Sequence, residues 1–181
     1  KKSQGLVDIH GNTIIPLTAN QAILPPSDNM LRLAKVEKKQ IAKAYYDLDA
    51  EVMVRISSSE KGKFGAFSHN LAPVSLDDEL YFIDKKGNKV IGGLSKAFLS
   101  NEGYRVVQKG SAFGAIDSTG AVVIPIEYTN SLTSVNNGRL GVQKNASWFY
   151  VDMKGQIVSD KYDRIGNFHR GYASVCLNKL W

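Results

Sequence analysis

Cysteine is nearly missing from this 181-residue chain, in which Cys176 stands alone. An intrachain disulfide framework and a four-cysteine zinc site are both excluded. Histidine is almost as scarce, with only His10, His69 and His169. Apolar runs extend over only a few residues, so no segment reads as a membrane span. The sequence contains no Gly-x-Ser-x-Gly elbow, no Gly-rich phosphate loop and no DxDxDG calcium loop. Each of these absences removes a common route to chemistry. The expectation is a protein that is not an enzyme and holds neither cofactor nor metal.

Charge is not gathered in one place either. The net charge of +6 allows weak attraction to acidic partners, but the cations fall in small scattered groups. Lys35, Lys38, Lys39 and Lys43 make one group, and Lys85, Lys86 and Lys89 another, with Asp77, Asp78 and Glu79 opposing them. A nucleic-acid surface would concentrate basic side chains on one face, with stacking aromatics between them. Nucleic acid is therefore not an expected partner. At 43% hydrophobic and 22% charged the chain has the composition of an ordinary globular domain. No signal peptide is visible at Lys1, and a removed leader would leave no trace.

What the sequence does contain is a repeat. Five segments place an aspartate before a turn, with hydrophobic stretches on both sides: GLVDIHGNTI at 5–14, AYYDLDAEVM at 44–53, YFIDKKGNKV at 81–90, GAIDSTGAVV at 114–123 and FYVDMKGQIV at 149–158. Their anchors are Asp8, Asp47, Asp84, Asp117 and Asp152. A second element keeps step with the first. It opens on Asn29, Asn70, Gly103, Gly138 or Gly171 and carries an aliphatic residue four positions on, at Leu33, Val74, Val107, Val142 or Val175. Two marks in register over the whole chain indicate a single repeat domain, 1–181, built from five units.

The unit from Gly138 to Tyr172 shows the local logic. Alternation around Leu140 and Val142 predicts a strand, and Trp148-Phe149-Tyr150-Val151 predicts a second, rich in β-favouring aromatics. Asp152-Met153-Lys154-Gly155 reads as a tight turn, in which the aspartate accepts backbone N–H groups and glycine supplies a positive φ. Gln156-Ile157-Val158 follows as a third strand. Each unit is thus expected to be a three-stranded antiparallel meander, and the fold class all-β, an array of hairpin repeats. Such a meander has one apolar face that it cannot bury alone, so neighbouring units must cover each other. Between Val36 and Tyr46 a four-residue insertion predicts a strand pair with a longer loop, and in the second unit Ala50 stands where the turn glycine is expected.

These residues resemble the WG repeat, also called KWG, a bacterial repeat built around Lys-x-Trp-Gly-x-Ile-Asp-x-x-Gly and a Val-Ile-Pro-like strand. Phe113-Gly114-Ala115-Ile116-Asp117 with the run to Pro125 is similar to it, as is Phe168-His169-Arg170-Gly171-Tyr172-Ala173-Ser174-Val175. Trp148 and Trp181 occupy the name-giving position, which Gln4, Lys43, Leu80 and Phe113 fill elsewhere. The resemblance implies a β-hairpin scaffold with no fixed catalytic activity, and a bacterial source. The array is expected to be a stretch of a longer protein, or else a ring closed by its two ends. For compartment, the cell envelope or secretion is favoured over the cytoplasm.

Candidate chemistry is thin. One aspartate per unit is the spacing of turn residues rather than of converging ligands, and Asp47-Leu48-Asp49 with Glu51 is the nearest approach to a cation loop. Cys176 reads as a small buried hydrophobe. Recognition is expected at the irregular stretches 18–28 and 57–67, with Tyr45, Tyr46, Tyr104, His69 and His169 as candidate binding residues. The expected partner is a protein, in a bacterial complex, and the alternative is a glycan or cell-wall polymer.

Overall fold

A computed structural model describes residues 3–37, 40–57 and 62–178. Trp181, Lys38, Lys39 and the 58–61 part of the 57–67 stretch lie outside the described residues. The described chain is all-β. A hairpin of β1 (Ser3–Val7) and β2 (Thr13–Ala19) comes first. A four-stranded sheet follows, made of β3 (Gln21–Ser27), β4 (Met30–Glu37), β5 (Gln40–Asp47) and β6 (Val52–Ser57) in that order. The next is built from β7 (Lys63–Phe64), β8 (Ala72–Leu76), β9 (Glu79–Ile83) and β10 (Lys89–Leu94), and the third from β11 (Lys96–Asn101), β12 (Tyr104–Lys109), β13 (Ala112–Ile116) and β14 (Val122–Tyr128). A three-stranded sheet of β15 (Asn130–Ser131), β16 (Arg139–Lys144) and β17 (Ser147–Asp152) precedes the pair β18 (Arg164–Ile165) and β19 (Val175–Cys176). Every pairing is between strands adjacent in sequence, as in a chain of meanders.

The full unit therefore has four strands rather than the three expected. The extra strand is the connector, which turns back to pair with the Gly- or Asn-led strand, as Gln21↔Lys35 and Lys96↔Gln108 show. Residues 18–28, expected to be a loop, are mostly strand β3. Pro25 and Pro26 sit at a register shift between Leu24 and Ser27 on an outer strand, where a missing N–H costs no ladder bond. The four-residue insertion lengthens strands instead of a loop, because β4 and β5 pair out to Glu37↔Gln40. In the last unit the third strand shrinks to a single bridge, Val151↔Ile157.

The Gly or Asn that opens each second element has a conformational cause. It is the second residue of a turn in which both central residues have positive φ: Asp28-Asn29, His69-Asn70, Glu102-Gly103, Asn137-Gly138 and Arg170-Gly171. This is the type I′ hairpin turn, whose twist matches that of the flanking strands. The Asp-led turns are different. Three residues separate Asp117 from Ala121, which bond to each other through the backbone, and Gly120 holds φ +88. In the second unit the loop is one residue longer, closing at Asp47↔Val52, and Glu51 rather than Ala50 takes the left-handed position at φ 54.

The chain divides into two compact units, residues 1–78 with 82–89, and residues 79–81 with 90–181. In the second unit Val106, Ala115, Ile124, Tyr128, Leu140 and Val151 belong to one continuous core. In the first, Ile15, Leu31, Leu33 and Tyr46 form a core cluster. Successive repeats within a unit are tied at their I′ turns. Asp28 Oδ2 accepts the Asn70 N–H at 2.8 Å, and Glu102 accepts the N–H groups of Asn137 and Gly138, both at 2.8 Å. Asn137 Oδ1 then receives the Gly171 N–H at 3.4 Å.

Gly120 carries a second constraint besides its φ. A Cβ there would lie 2.6 Å from Cγ2 of Val90, because the Asp117 turn lies against β10 of the repeat before it. Gly103 also has positive φ (+80), but nothing lies within 4 Å of its Cβ position. Gly103→Ala should cost about 1 kcal/mol, the left-handed penalty alone. Gly120→Ala should add about 1–3 kcal/mol for overpacking. Urea unfolding of the two variants checks this, and equal losses would show that the Val90 contact relaxes freely.

Candidate functional site

The recurring aspartates are the obvious carboxylates, and each is engaged in its own turn. Asp8 Oδ1 accepts the N–H of His10 at 2.8 Å and of Asn12 at 2.9 Å, while Oδ2 accepts the Asn12 side-chain amide at 2.7 Å. Asp84 repeats this with Lys86 and Asn88. Asp117 accepts the Thr119 N–H and hydroxyl and the Ala121 N–H, and Asp152 accepts from Lys154 and Gln156. Asp47 accepts from Asp49 and Ala50 in its longer loop. These bonds favour the ionised form. The Asn12 amide does most to hold Asp8 below its ordinary value of 3.8, and the Gln156 N–H does the same for Asp152. At Asp84 and Asp117 partial burial is the largest single influence and pushes upward, but donors from Asn88 and Lys86, or from Thr119 and Ala121, together outweigh it. Among the described residues no three His, Cys, Asp or Glu side chains are placed to hold a metal.

Tyr45 and Tyr46 lie in the interior, at 0% and 8% exposure. The Tyr45 hydroxyl donates to the Gly65 carbonyl at 2.6 Å, and its ring meets Phe64 and Phe67 edge-on at 5.3 and 4.8 Å. Tyr150 occupies the matching position two residues before its aspartate. It donates to Gly166 at 2.5 Å, and its ring packs on Phe168 at 4.7 Å. A tyrosine at that position thus ties its repeat to the Gly-x-Phe of the next, a role the sequence reading missed. The recurring spacing of Tyr-x-Asp and a later Gly-x-Phe was the available signal. Tyr104 is half-buried and packs against the second unit's core. His69 and His169 are exposed, each in the hairpin turn of its own unit. Cys176 is buried, as a small hydrophobe would be.

The exposed apolar surface lies elsewhere. In the first unit a shallow groove of about 370 Å³ runs beside β6, lined by Asp47, Val52, Met53, Arg55, Lys85 and Lys86. Val52 is 52% and Met53 42% exposed. In the second unit a groove of about 440 Å³ lies between Phe98-Leu99-Ser100-Asn101 and Thr133-Ser134, with Leu99 87% exposed. Sequence reasoning singled out neither, since an alternating strand reads the same whether or not a neighbour covers it. No described helix is long and apolar enough to cross a membrane.

Comparison with known proteins gives one family. The model for the WG containing repeat matches residues 113–148 and 148–181. No curated protein matches the chain in sequence. Among solved structures, similarity extends to dipeptidyl peptidase 4 of Porphyromonas gingivalis, with TM-score 0.40 and 13% identity over 82% of this chain and 28% of that one. It extends also to a eukaryotic initiation factor (TM-score 0.34, 12% identity, 80% and 55%) and to a chain of a nidogen/laminin complex (TM-score 0.30, 8% identity, 84% and 84%). The chain thus spans less than two thirds of the first two. Likeness at this level carries no functional weight.

Two predictions follow from the turns and the tyrosines. An aspartate whose folded pKa is depressed contributes stability that is present above its unfolded value and lost as pH falls through its folded value. Stability measured by denaturant should therefore be flat above about pH 5 and fall below about pH 4. A variant carrying Asp84→Asn and Asp117→Asn should lose less over that acid range than the parent, and parallel curves would refute the assignment. Tyr45→Phe should cost about 1 kcal/mol, the net worth of one buried hydrogen bond, while leaving any partner affinity unchanged.

Proposed function

Because residues 113–181 match the WG containing repeat and the rest of the described chain repeats the same hairpins, we propose that the chain is a non-catalytic scaffold that mediates protein–protein interaction in a bacterial complex. One observation carries the reading: the recurring polar and aromatic side chains are used up inside the repeats. The aspartates close their own turns, and Tyr45 and Tyr150 tie neighbouring repeats together. What is left for a partner is backbone edge and exposed aliphatic surface, as at Val52, Met53 and Leu99. Repeat arrays commonly present such extended faces to other chains.

A second reading, a glycan or cell-wall polymer domain, is favoured by one residue. Tyr172 is 83% exposed, and a free aromatic face is what stacking on a sugar ring requires. Affinity capture on the immobilised chain, followed by light scattering of the recovered complex, should yield one protein at a stoichiometric ratio, with a glycan array blank in parallel. An array signal lost on Tyr172→Ala would reverse the two readings. Turnover of a hydrolase substrate abolished by His69→Ala or His169→Ala would overturn both.

A further inference from the structure

We propose that the free edge of β6 is a docking strand for an acidic, extended segment of a partner protein, which adds to the first unit's sheet as one more strand. The inference rests on the scaffold reading and names its partner chemistry. The sheet order leaves β6 outermost, paired with β5 alone among the described residues. An outer strand exposes a row of unpaired N–H and C=O groups, and chains usually blunt that row with proline, charge or irregularity. The other third strands are blunted in this way. Pro16 interrupts β2, Pro125 interrupts β14, and β10 contains Gly92-Gly93. At the opposite edge of the same sheet β3 carries Pro25-Pro26. Strand β6 reads Val-Met-Val-Arg-Ile-Ser, with neither proline nor glycine and a high content of β-branched residues, and its ladder with β5 is regular from Val52 to Arg55 before a register shift at Ile56. Among the third strands it is the edge where an added strand would find every donor present.

The groove beside that edge selects the occupant. Arg55, Lys85 and Lys86 line it, and the lone carboxylate there, Asp47, already accepts the N–H groups of Asp49 and Ala50. Successive side chains of β6 point to opposite faces, so a segment alternating acidic and apolar residues would meet Arg55 with one set and the exposed Val52 with the other. Main-chain bonds then supply affinity, and the alternate side chains supply specificity. A second copy of this chain is a poorer occupant. Edge-to-edge pairing of two β6 strands would bring two sets of Arg55, Lys85 and Lys86 together, and the net charge of +6 adds to the repulsion.

The test uses the 181-residue chain and a fluorescein-labelled decapeptide in which Glu alternates with Val and Thr, read by anisotropy at low and high salt. Binding should weaken at least tenfold when Lys replaces Glu in the peptide. A loss of similar size should follow from Arg55→Glu, Lys85→Glu and Lys86→Glu combined, with circular dichroism showing the fold retained. N-methylation of alternate peptide residues gives the signature of strand addition: one alternating set abolishes binding and the other is tolerated, because only one edge of the peptide pairs. Equal effects of the two sets, indifference to the charge reversals, equal competition by heparin or duplex DNA, or a β6-dependent dimer would each overturn the proposal. If the protein recovered by affinity capture still binds the charge-reversed variant, the docking strand falls and the scaffold reading stands. If no protein is captured and no peptide binds, both fall.

Discussion

Two adjacent residues with positive φ precede each Gly- or Asn-led strand, and the direction of the following strand depends on them. The type I′ turn imposes a twist that keeps the hairpin paired, so this conformation is worth its local cost. That cost is real at His69, Glu102 and Arg170, which hold φ between 50 and 52 without the freedom of glycine. They persist because the ladders on either side over-determine the turn. The Asp-led turns work by a different device, a carboxylate that gathers backbone N–H groups and a single left-handed residue at the end of the loop.

The same turns then join one repeat to the next. In three of them the first residue of the I′ turn offers an acceptor, and the following turn offers its backbone N–H. Asp28, Glu102 and Asn137 all act in this way, with side chains of different length and charge. The contact requires an oxygen at that place and is indifferent to which residue brings it. At the Asp-led turns the requirement is steric instead, since Gly120 admits Val90 to a distance that a methyl group would occupy. Deeper in, Tyr45 and Tyr150 reach across to the carbonyls of Gly65 and Gly166, and each ring packs on a phenylalanine of the next repeat.

These commitments shape what the surface can do. A carboxylate that accepts three donors from its own turn is poorly placed to serve as a general base or a ligand. A tyrosine with its hydroxyl bonded and its ring enclosed has no face to give a partner. On the proposed scaffold reading, a partner is left the strand edges and side chains such as Met53 and Leu99, which stay exposed. The turn positions keep their backbone conformation from repeat to repeat while these exposed side chains are free to differ, as in other repeat arrays.

Most of the architecture was legible in the sequence because turn chemistry is local. Asp with Gly three residues on, and Asn or Gly before an alternating stretch, encode their φ values without reference to anything distant, so the all-β class and the repeat register could be read directly. The reading failed where a partner strand decides. Residues 18–28, with two prolines, become strand β3 only because Ala22 and Ile23 find Ala34 and Leu33 across the ladder. Glu51 rather than Ala50 turns left-handed because of where Val52 pairs, and the inserted residues lengthen β4 and β5 because their pairing continues to Glu37↔Gln40. The site divides in the same way. Sequence determined that the aspartates are turn residues, while only tertiary packing decided that Tyr45 and Tyr46 go inside and that Val52 and Met53 stay out. Burial depends on which neighbour arrives, and an alternating strand reads the same with or without one.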